Sequence, residues 1–337
     1  MREVAHDGTN RVFGEQHVRP PILAHVYDGA MALRVATFNL KDFFAARTDA
    51  EKRVLEAKVA NVASNLRRAN ADVVALQEVG SVELLDRLVS KELAALGYAP
   101  PVVGTEDKRG IRNAILARVP IQWSQVHAPK TLPFPRFVAS DPEPFPSRIL
   151  LRRGVVHVRV EDPAIGEVDV ITAHFKSNLG VPLRDASGNE IEDASPRGRG
   201  EGAVRSLVQR AAEALFVRGL VDDLLKNKPD HAICVLGDLN DTPDSLPIRI
   251  VRGIGEPSSL FLRATSDLVP AERRFSSMHG GGPCLIDHVL VSERLFRTVR
   301  EVAYYNESLR YHGPHVEGAP PTEDSDHALA LVAFDGS

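Results

Sequence analysis

The chain has 337 residues, of which 43% are hydrophobic and 26% charged, and its formal net charge is −4. This composition is that of an ordinary globular protein with enough apolar residues for a substantial core. The mild negative charge argues against a strongly basic nucleic-acid surface, although a local basic groove is compatible with it. The two cysteines are too few for a disulfide framework, so nothing requires an oxidising compartment.

No apolar run approaches the roughly 18 residues expected of a transmembrane helix. Residues 1–30 lack the uninterrupted apolar core of a signal peptide. They are polar, aperiodic and interrupted by Pro20 and Pro21. We therefore expect a cytoplasmic protein in which residues 1–30 form a loose N-terminal extension. Residues 31–337 show neither an internal repeat nor a break in composition, and we expect them to form a single domain.

The periodicity of apolar residues predicts a mixture of strands and helices. Strands are expected at residues 33–39, 72–78, 111–117, 149–160, 167–172, 233–236, 285–291 and 328–334, and helices at 51–69, 82–96 and 202–225. Long loops are expected at the proline-rich residues 128–147, at the glycine- and charge-rich residues 180–200, and at 253–284. Strands interleave with helices early and form hairpin-like pairs later, which predicts an α/β fold of two packed sheets with helices outside.

The most informative stretch is residues 233–243, Ile-Cys-Val-Leu-Gly-Asp-Leu-Asn-Asp-Thr-Pro. Its four apolar residues predict a strand that is buried on both faces. This strand ends at Gly237, and the polar Asp238 and Asn240 follow. The carboxyl end of such a strand is where open α/β sheets bind ligands and metals. Asp and Asn also favour turns for local reasons, so this stretch alone does not distinguish a site from a turn.

Several other predicted strands also end in polar side chains. Taken singly, each has an ordinary explanation. Glu78 is explained as a surface acid, and His174 or His327 as a half-buried histidine. The recurrence of the same design along the chain nevertheless favours one shared functional site. The members of this set are Asn39, Glu78, His174, Asp238, Asn240, Asp287, Asp326 and His327.

The residue types in this set suit metal-assisted attack of water on phosphorus. Glu78, Asp238 and Asn39 carry hard oxygen ligands, which suit Mg²⁺ or Mn²⁺. The carboxylates are too few for a cage made only of protein, which fits Mg²⁺ because this ion keeps waters and binds substrate phosphate. A carboxylate near a cation stays ionised, so Asp238 can orient or deprotonate a water. A histidine paired with a carboxylate favours its protonated form, and Asp287 is the natural partner for His327.

Other catalytic chemistries find little support in the sequence. Zinc would draw on cysteine and paired histidine ligands. The close pair His312 and His315 lies in a Gly-Pro loop without a nearby cysteine. The chain has no Gly-x-Ser-x-Gly elbow, Walker loop or dinucleotide fingerprint. The residues therefore favour metal-assisted hydrolysis.

Seven motifs, taken in order, resemble those of the endonuclease/exonuclease/phosphatase superfamily. This superfamily includes pancreatic-type deoxyribonucleases, abasic-site endonucleases, inositol-polyphosphate phosphatases and bacterial sphingomyelinases. Any one motif is weak, whereas Gly-Asp-x-Asn, Gln-Glu and a terminal Ser-Asp-His in this order are strong together. The motifs are ATFN (36–39), LQE (76–78), RNAIL (112–116), AHFKS (173–177), GDLN (237–240), IDH (286–288) and SDH (325–327).

The resemblance implies a four-layer α/β sandwich, in which two mixed β-sheets pack face to face and helices flank them. It also implies that Glu78 is the principal Mg²⁺ ligand, with Asn39 close by and Asp326 as a further ligand, and that Mn²⁺ is a possible substitute. Asp238 would orient or activate the water. Asn240 would contact the phosphate or a second metal.

The resemblance assigns the remaining residues to the phosphate. His327, supported by Asp287, and His174 would stabilise the pentacovalent transition state, and His174 is a candidate proton donor. Further substrate contacts are expected from Asn39, Arg112, Asn113 and Lys176. This chain differs from the abasic-site endonucleases of the superfamily at two positions. Those enzymes carry an acid where this chain has Lys41, and they lack a histidine at the position of His174. Both differences favour the deoxyribonuclease-like or phosphodiesterase branches.

We therefore expect a Mg²⁺-dependent phosphodiesterase that hydrolyses DNA by in-line attack of a metal-assisted water. The alternative is a phosphatase or phosphodiesterase for a small molecule or a lipid headgroup, which the acidic net charge favours. A non-catalytic binding module is disfavoured because every expected catalytic position carries a competent residue. We expect a monomer without an obligate protein partner. The loops that set the substrate in this superfamily do not reveal it here.

Overall fold

The structure, a computed structural model, describes residues 33–255, 258–279, 282–313 and 322–336. The predicted extension, residues 1–30, lies outside the described residues, as does His315 of the histidine pair. The helices are α1 (Asp49–Ala69), α2 (Val82–Arg87), α3 (Pro196–Asn227), α4 (Leu246–Arg252) and α5 (Glu293–Phe296). The strands are β1 (Leu33–Phe43), β2 (Val73–Val79), β3 (Val102–Val103), β4 (Arg112–Ala117), β5 (Ile121–His127), β6 (Val155–Asp162), β7 (Gly166–Thr172), β8 (Leu183–Arg184), β9 (Glu190–Ile191), β10 (Ala232–Asp238), β11 (Leu262–Ala264), β12 (Ser277–His279), β13 (Gly282–Cys284), β14 (Asp287–Ser292), β15 (Val299–Tyr304) and β16 (Ala330–Phe334).

Two mixed sheets of six strands each dominate the described residues. The strand order is β15-β16-β1-β2-β4-β3 in the first sheet and β11-β14-β10-β7-β6-β5 in the second. The pairs β1–β2 and β7–β10 are parallel, and each is flanked by antiparallel neighbours. With helices on the outside, this is the four-layer α/β sandwich that the sequence predicts.

Side chains alternate between the two faces of each sheet, and both faces are buried. Val35 and Leu236 point into the core between the sheets. Ala36 and Val74 instead pack against α1 outside the first sheet, and Val235 packs against α3 outside the second. Burial on both faces explains why these strands are continuous apolar runs in the sequence.

The prediction of one continuous helix over residues 82–96 is wrong. Helix α2 is followed by a π-helical turn at Leu88–Glu92 and a 3₁₀ turn at Ala94–Leu96. Leu88 and Leu93 are both buried, and their separation of five residues does not fit 3.6 residues per turn. The wider π turn keeps both leucines on the face that packs against the sheet.

Other predicted boundaries also differ from the structure. The strand expected at residues 149–160 begins only at Val155, because Ile149 packs with Leu132 and Ala212 beneath the proline-rich loop. Helix α3 begins at Pro196, so it takes up the end of the loop expected at residues 180–200, and β8 and β9 pair inside that loop. Strands β11, β12 and β13 lie within the loop expected at residues 253–284.

Two strands and one helix lack a clear signal in the sequence. Strands β5 and β15 lie at the edges of the two sheets. Both contain exposed or half-buried positions on each face, so the apolar alternation that identifies inner strands is weak there. Helix α4 has only seven residues. Among the described helices, none is both long and apolar enough to cross a membrane.

Candidate active site

The two sheets bring their polar strand ends together at one edge of the sandwich. Asn39 in β1 pairs with Gln77 in β2, and Glu78 comes next. Asp238 ends β10 and lies opposite Asp287, the first residue of the antiparallel strand β14. A hydrogen bond of 2.8 Å from Asn39 Nδ2 to Asp238 Oδ2 joins the two sheets at this edge. The strand ends therefore form one cluster that is contributed by both sheets.

Asp238 lies at the centre of this cluster and is almost completely buried. Its Oδ1 accepts a hydrogen bond from the backbone N–H of Asn240 at 3.0 Å. Its Oδ2 lies 3.4 Å from Nε2 of His174 and 3.9 Å from Nε2 of His327. Burial raises the pKa of Asp238 to about 7, although His327 and the Asn39 hydrogen bond oppose the shift. This carboxyl can therefore exchange a proton near neutral pH.

His327 is oriented by Asp287, as the sequence predicts for this pair. Its Nδ1 lies 2.8 Å from Oδ2 of Asp287, and this leaves Nε2 facing Asp238. Burial opposes the charged ring, but the carboxylates of Asp287 and Asp238 outweigh it and raise the pKa of His327 to about 10. The imidazolium form has a donor on both ring nitrogens, so Nε2–H is available to an anionic oxygen.

Ser276 supports this pair, and the sequence analysis missed it. Its hydroxyl donates to Oδ2 of Asp287 at 2.7 Å and accepts from the backbone N–H groups of Ile286 and Asp287. The side chain thereby fixes the carboxylate that orients His327. Ser276 lies in a segment without regular periodicity, so no pattern in the sequence marks it.

His174 has a second partner that the sequence analysis also missed. Nη1 of the buried Arg153 lies 3.3 Å from Nε2 of His174, and Nη2 of Arg153 donates to the carbonyl of Phe175. Burial lowers the pKa of His174 well below its usual value, and Arg153 lowers it further. In this arrangement the ring is neutral and Nε2 accepts. Proton donation from His174, which the resemblance implies, would require this contact with Arg153 to be exchanged.

Asn240 is held in a strained turn directly after Asp238. Its φ of 54° lies in the left-handed region, which is uncommon for a residue other than glycine. Its Nδ2 donates to the carbonyl of Phe175 at 3.0 Å. Because that bond uses the amide nitrogen, the amide oxygen of Asn240 remains available to a ligand.

Glu78 and Asn39 carry the oxygen atoms that best fit a divalent cation. Glu78 Oε2 accepts one hydrogen bond, from the backbone N–H of Asp42 at 2.8 Å, and Asn39 Oδ1 accepts one from Lys41 N–H at 2.9 Å. Each oxygen keeps a free lone pair. Lys41, Asp42 and Glu78 adopt φ values of 51°, 50° and 59°. Such strain costs on the order of 1–3 kcal/mol per residue and is concentrated at functional sites. Hard oxygen donors on a strained backbone fit Mg²⁺.

Asp326, the third predicted metal ligand, is engaged by a lysine. Its Oδ2 lies 2.5 Å from Nζ of Lys41. Burial raises the pKa of Asp326, but His327 and Lys41 outweigh burial and hold it below the usual value. Nζ of the buried Lys58 donates to the carbonyl of Thr322, which ties α1 to the turn that carries Asp326. Metal binding by Asp326 stays a prediction.

A second cluster of side chains in the described residues, two acids and a histidine, could also surround an ion. Asp238, Asp287 and His327 offer ligand atoms that lie within 4.8 Å of one another. However, Oδ2 of Asp287 already accepts hydrogen bonds from Ser276 and His327. We therefore favour Glu78 and Asn39 as the cation ligands and retain the Asp287–His327 pair as an orienting hydrogen bond.

Three predicted substrate contacts are not brought to Asp238. Asn113 is wholly buried and donates to the carbonyl of Gly154, so in this position it cannot touch a substrate. Nζ of Lys176 donates to the carbonyls of Ser177 and Leu179, and burial lowers its pKa to about 8. Arg112 pairs with Glu106 and with the carbonyl of Gly80. Packing has directed these side chains into the protein rather than toward a ligand at Asp238.

The sequence model of one protein family matches this chain, and the fold and the site described above agree with that match. That model, described as the Endonuclease/Exonuclease/phosphatase family, matches residues 36–327. The match covers most of the 337 residues, so the chain belongs to this family. Members of the family are metal-dependent phosphoric ester hydrolases, and this protein is an enzyme of that class. No curated protein matches it closely enough in sequence to serve as a relative.

Solved structures of several DNA-processing proteins share the fold. TDP2 from D. rerio, complexed with single strand DNA product, is 15% identical with a TM-score of 0.55, over 90% of this chain and 99% of that chain. An AP endonuclease from Archaeoglobus fulgidus is 13% identical with a TM-score of 0.53, over 90% and 99%. The 3′ phosphatase NExo from Neisseria, bound to product DNA hairpin, is 19% identical with a TM-score of 0.54, over 90% and 100%. At such identities the likeness concerns the fold alone.

Proposed function

We propose that this protein is a Mg²⁺-dependent phosphodiesterase that hydrolyses DNA. The observation that carries the proposal is the contact of Asp238 with Asn39 on one side and its approach to His327 on the other. This arrangement combines a buried carboxylate, an oriented histidine and hard oxygen ligands at one edge of the sandwich. Such a combination suits a water that attacks phosphorus in line with the leaving oxygen.

In this mechanism Asp238 accepts the proton of the attacking water. Burial brings the pKa of Asp238 to about 7, so its carboxylate is a competent base at neutral pH. A bond forms between the water oxygen and phosphorus as the ester bond on the opposite side breaks. His327 then donates from Nε2–H to an oxygen of the phosphate, where negative charge builds up in the transition state.

The other residues hold the phosphate and the cation. Asn240, whose Nδ2 is engaged by the carbonyl of Phe175, would use its amide oxygen to contact a second cation, or would otherwise contact the phosphate. Glu78 and Asn39 would hold Mg²⁺, which when bound polarises the phosphate and neutralises charge on it. His174 remains the proposed donor of a proton to the leaving oxygen. This role requires Nε2 to release Arg153 and first to take up a proton, because the neutral ring that accepts from Arg153 carries none on Nε2.

DNA is proposed as the substrate because two proteins of the same fold were solved with DNA products. A small phosphoester is the second candidate. It is favoured by the internal bonds of Lys176 and Arg112, which leave fewer free cations for a polyanion than the sequence suggested.

The test is hydrolysis of plasmid DNA, single-stranded oligonucleotides and bis(p-nitrophenyl) phosphate, each with Mg²⁺, with Mn²⁺ and with chelator. Asp238→Asn should abolish turnover because an amide cannot accept the proton of the water. Asp223→Asn is the matched control, since Asp223 is exposed on α3. Metal-dependent cleavage of DNA that only Asp238→Asn loses would support the proposal. Turnover of the simple ester alone would replace DNA by the small phosphoester.

A further inference from the structure

A cavity lies close in the chain to the proposed cation ligand Glu78, with Gly80 in its lining. Its volume is about 510 Å³, which lies within the range of roughly 300–1,000 Å³ typical of ligand pockets. It lies between the segment that follows β1 and the turn that follows β2. Its lining includes Phe44, Arg47, Gly80, Ser81, Glu83 and Arg112. None of them has a role in the mechanism proposed above.

Phe44 forms an aromatic wall of this cavity in a fixed position. A Cβ atom placed on Gly80 would lie 2.2–2.6 Å from the Phe44 ring, so the ring packs directly on the backbone of Gly80. Phe43 is fully buried in the core, whereas the neighbouring Phe44 is only half-buried. The ring is therefore held against Gly80, with Gly110 also beside it, and still presents surface to the cavity. A pinned aromatic ring with an accessible face is a stacking platform for a planar group.

The polar groups around the ring suit a ligand that is both planar and anionic. Arg47 is exposed at the cavity and its guanidinium has no ion pair within the described residues. Arg112 also lines the cavity, but its guanidinium is paired with Glu106 and contacts the carbonyl of Gly80 at 3.4 Å. The single acid of the lining, Glu83, accepts a hydrogen bond from the hydroxyl of Ser81 at 3.0 Å. An arginine beside an aromatic ring is a combination with which proteins bind the phosphates and bases of single strands.

The position of the cavity connects it to the scissile phosphate. Gly80 follows Glu78 by two residues, and extended chain spans at most about 7 Å over that distance. A group that stacks on Phe44 therefore lies next to a phosphate held at Glu78. In a polynucleotide, that group is the base of the adjoining nucleotide.

We propose that this cavity is a nucleotide subsite, in which the base that adjoins the scissile phosphate stacks on Phe44 while Arg47 faces the flanking phosphate. The proposal rests on the nuclease function proposed above and extends it to a single-stranded or locally unpaired substrate. Stacking on an aromatic ring tolerates any base, so the subsite requires a base without selecting one.

The experiment uses an oligothymidylate with one cleavable phosphodiester, the other linkages being phosphorothioates. Two counterparts lack the base on the 5′ side or on the 3′ side of that bond. The wild type should lose about 5- to 100-fold in kcat/KM on one counterpart, which corresponds to the usual 1–3 kcal/mol of stacking. Phe44→Ala should lose the same factor in kcat/KM on the intact substrate, mainly through a higher KM. Its kcat/KM should fall no further on the substrate that lacks that base. Phe44→Trp should restore discrimination.

Phe296→Ala is the matched control. Phe296 is also half-buried, but it lies on α5, beyond the end of β14 that is remote from Asp287, and its ring stacks with Arg263. Arg47→Gln should lower the slope of log kcat/KM against log salt by about 0.7, the effect of one lost phosphate contact on a single strand. The subsite is refuted if the wild type is indifferent to both missing bases, or if Phe44→Ala discriminates as the wild type does. If the wild type cleaves no oligonucleotide, the nuclease function fails instead, and the subsite with it.

Discussion

Asp238 is subject to opposing influences that set its proton affinity. Burial disfavours the carboxylate, whereas the amide of Asn39 and the ring of His327 favour it. The balance raises the pKa to about 7, which is where a general base works best at neutral pH. The site thus depends on how deeply the carboxyl is buried as well as on which residues surround it.

At the same scale, we predict that Ser276→Ala lowers both stability and activity. The change leaves two backbone N–H groups without the Ser276 hydroxyl as acceptor, and it leaves Oδ2 of Asp287 with His327 as its remaining partner. The expected loss is about 1–3 kcal/mol in the free energy of unfolding. Because His327 then loses its fixed carboxylate, kcat should fall about 10- to 100-fold. Urea unfolding and steady-state kinetics measure the two effects.

Ser266→Ala is the control for that prediction. Ser266 is also buried, but its hydroxyl has no hydrogen-bond partner among the described residues. Its removal should leave kcat unchanged and cost little stability. Equal effects of the two substitutions would show that the Ser276 hydroxyl does not orient Asp287.

Strand β10 is the element on which the site depends most directly. It pairs with β7 in parallel and with β14 in antiparallel fashion, which sets Asp238 opposite Asp287. Gly237 allows the backbone of β10 to approach Ala173, the residue that follows β7. Its φ is 140°, and a Cβ atom there would lie 2.1 Å from the carbonyl oxygen of Ala173.

We therefore predict that Gly237→Ala separates the ends of β7 and β10. The free energy of unfolding should fall by about 1–3 kcal/mol from backbone strain alone. Activity should fall at least tenfold because Asp238 follows directly. Gly219→Ala in α3 is the matched control, since nothing lies within 4 Å of a Cβ there. That change should stabilise the protein by about 0.5–1 kcal/mol. Similar behaviour of both variants in thermal unfolding and kinetics would contradict the prediction.

At the scale of the whole molecule, cation binding should stabilise the fold. A ligand at 100 times its Kd that binds only the folded state contributes about 2.7 kcal/mol. We predict that Mg²⁺ raises the Tm of the wild type, that Glu78→Gln loses most of this shift, and that Asp287→Asn keeps it. Glu272→Gln, which removes an exposed acid, is the control. The opposite pattern would assign the cation to the group of Asp238, Asp287 and His327.

The outer face of the second sheet carries a buried ionic cluster that should make stability depend on pH. Asp169 bonds with His157, Arg159 and His231, which joins β6, β7 and the start of β10. Burial would raise the pKa of Asp169, but these partners outweigh it and lower the pKa well below the usual value. Its contribution is therefore present above the unfolded-state pKa of about 3.9 and is lost as pH falls through the folded-state value.

From this cluster we predict that Asp169→Asn lowers the free energy of unfolding by about 3–5 kcal/mol at pH 7. The difference from the wild type should shrink below about pH 4, because the unfolded wild type then takes up a proton there. Denaturant unfolding at pH 7 and below about pH 4 measures this difference in the free energy of unfolding. Asp223→Asn, at an exposed position, is the control. A difference that is the same at both pH values would mean that the charge of Asp169 is not what stabilises the fold.

The positions of the inner strands along the chain, and the polar residues near their ends, could be predicted from the sequence, whereas the order of the strands within each sheet was not. Apolar runs that are buried on both faces, such as residues 233–236, are recognisable because burial acts on consecutive residues. The edge strands β5 and β15 could not be, since one-sided and partial burial leaves a weak pattern. The π turn at Leu88–Glu92 could not be either, because only packing against the sheet selects it over an α-helix.

By itself, the sequence determined the class of enzyme, a metal-dependent phosphoric ester hydrolase, through the order of the motifs that contain Asn39, Glu78, Asp238 and His327. Only the tertiary structure decided which groups meet. Arg153 against His174, Ser276 against Asp287 and Lys41 against Asp326 are contacts that no local pattern encodes. The physical reason is that strand propensity and turns are properties of neighbouring residues. Hydrogen-bond partners, burial and hence proton affinity depend instead on residues that are distant in the chain and are brought together by packing.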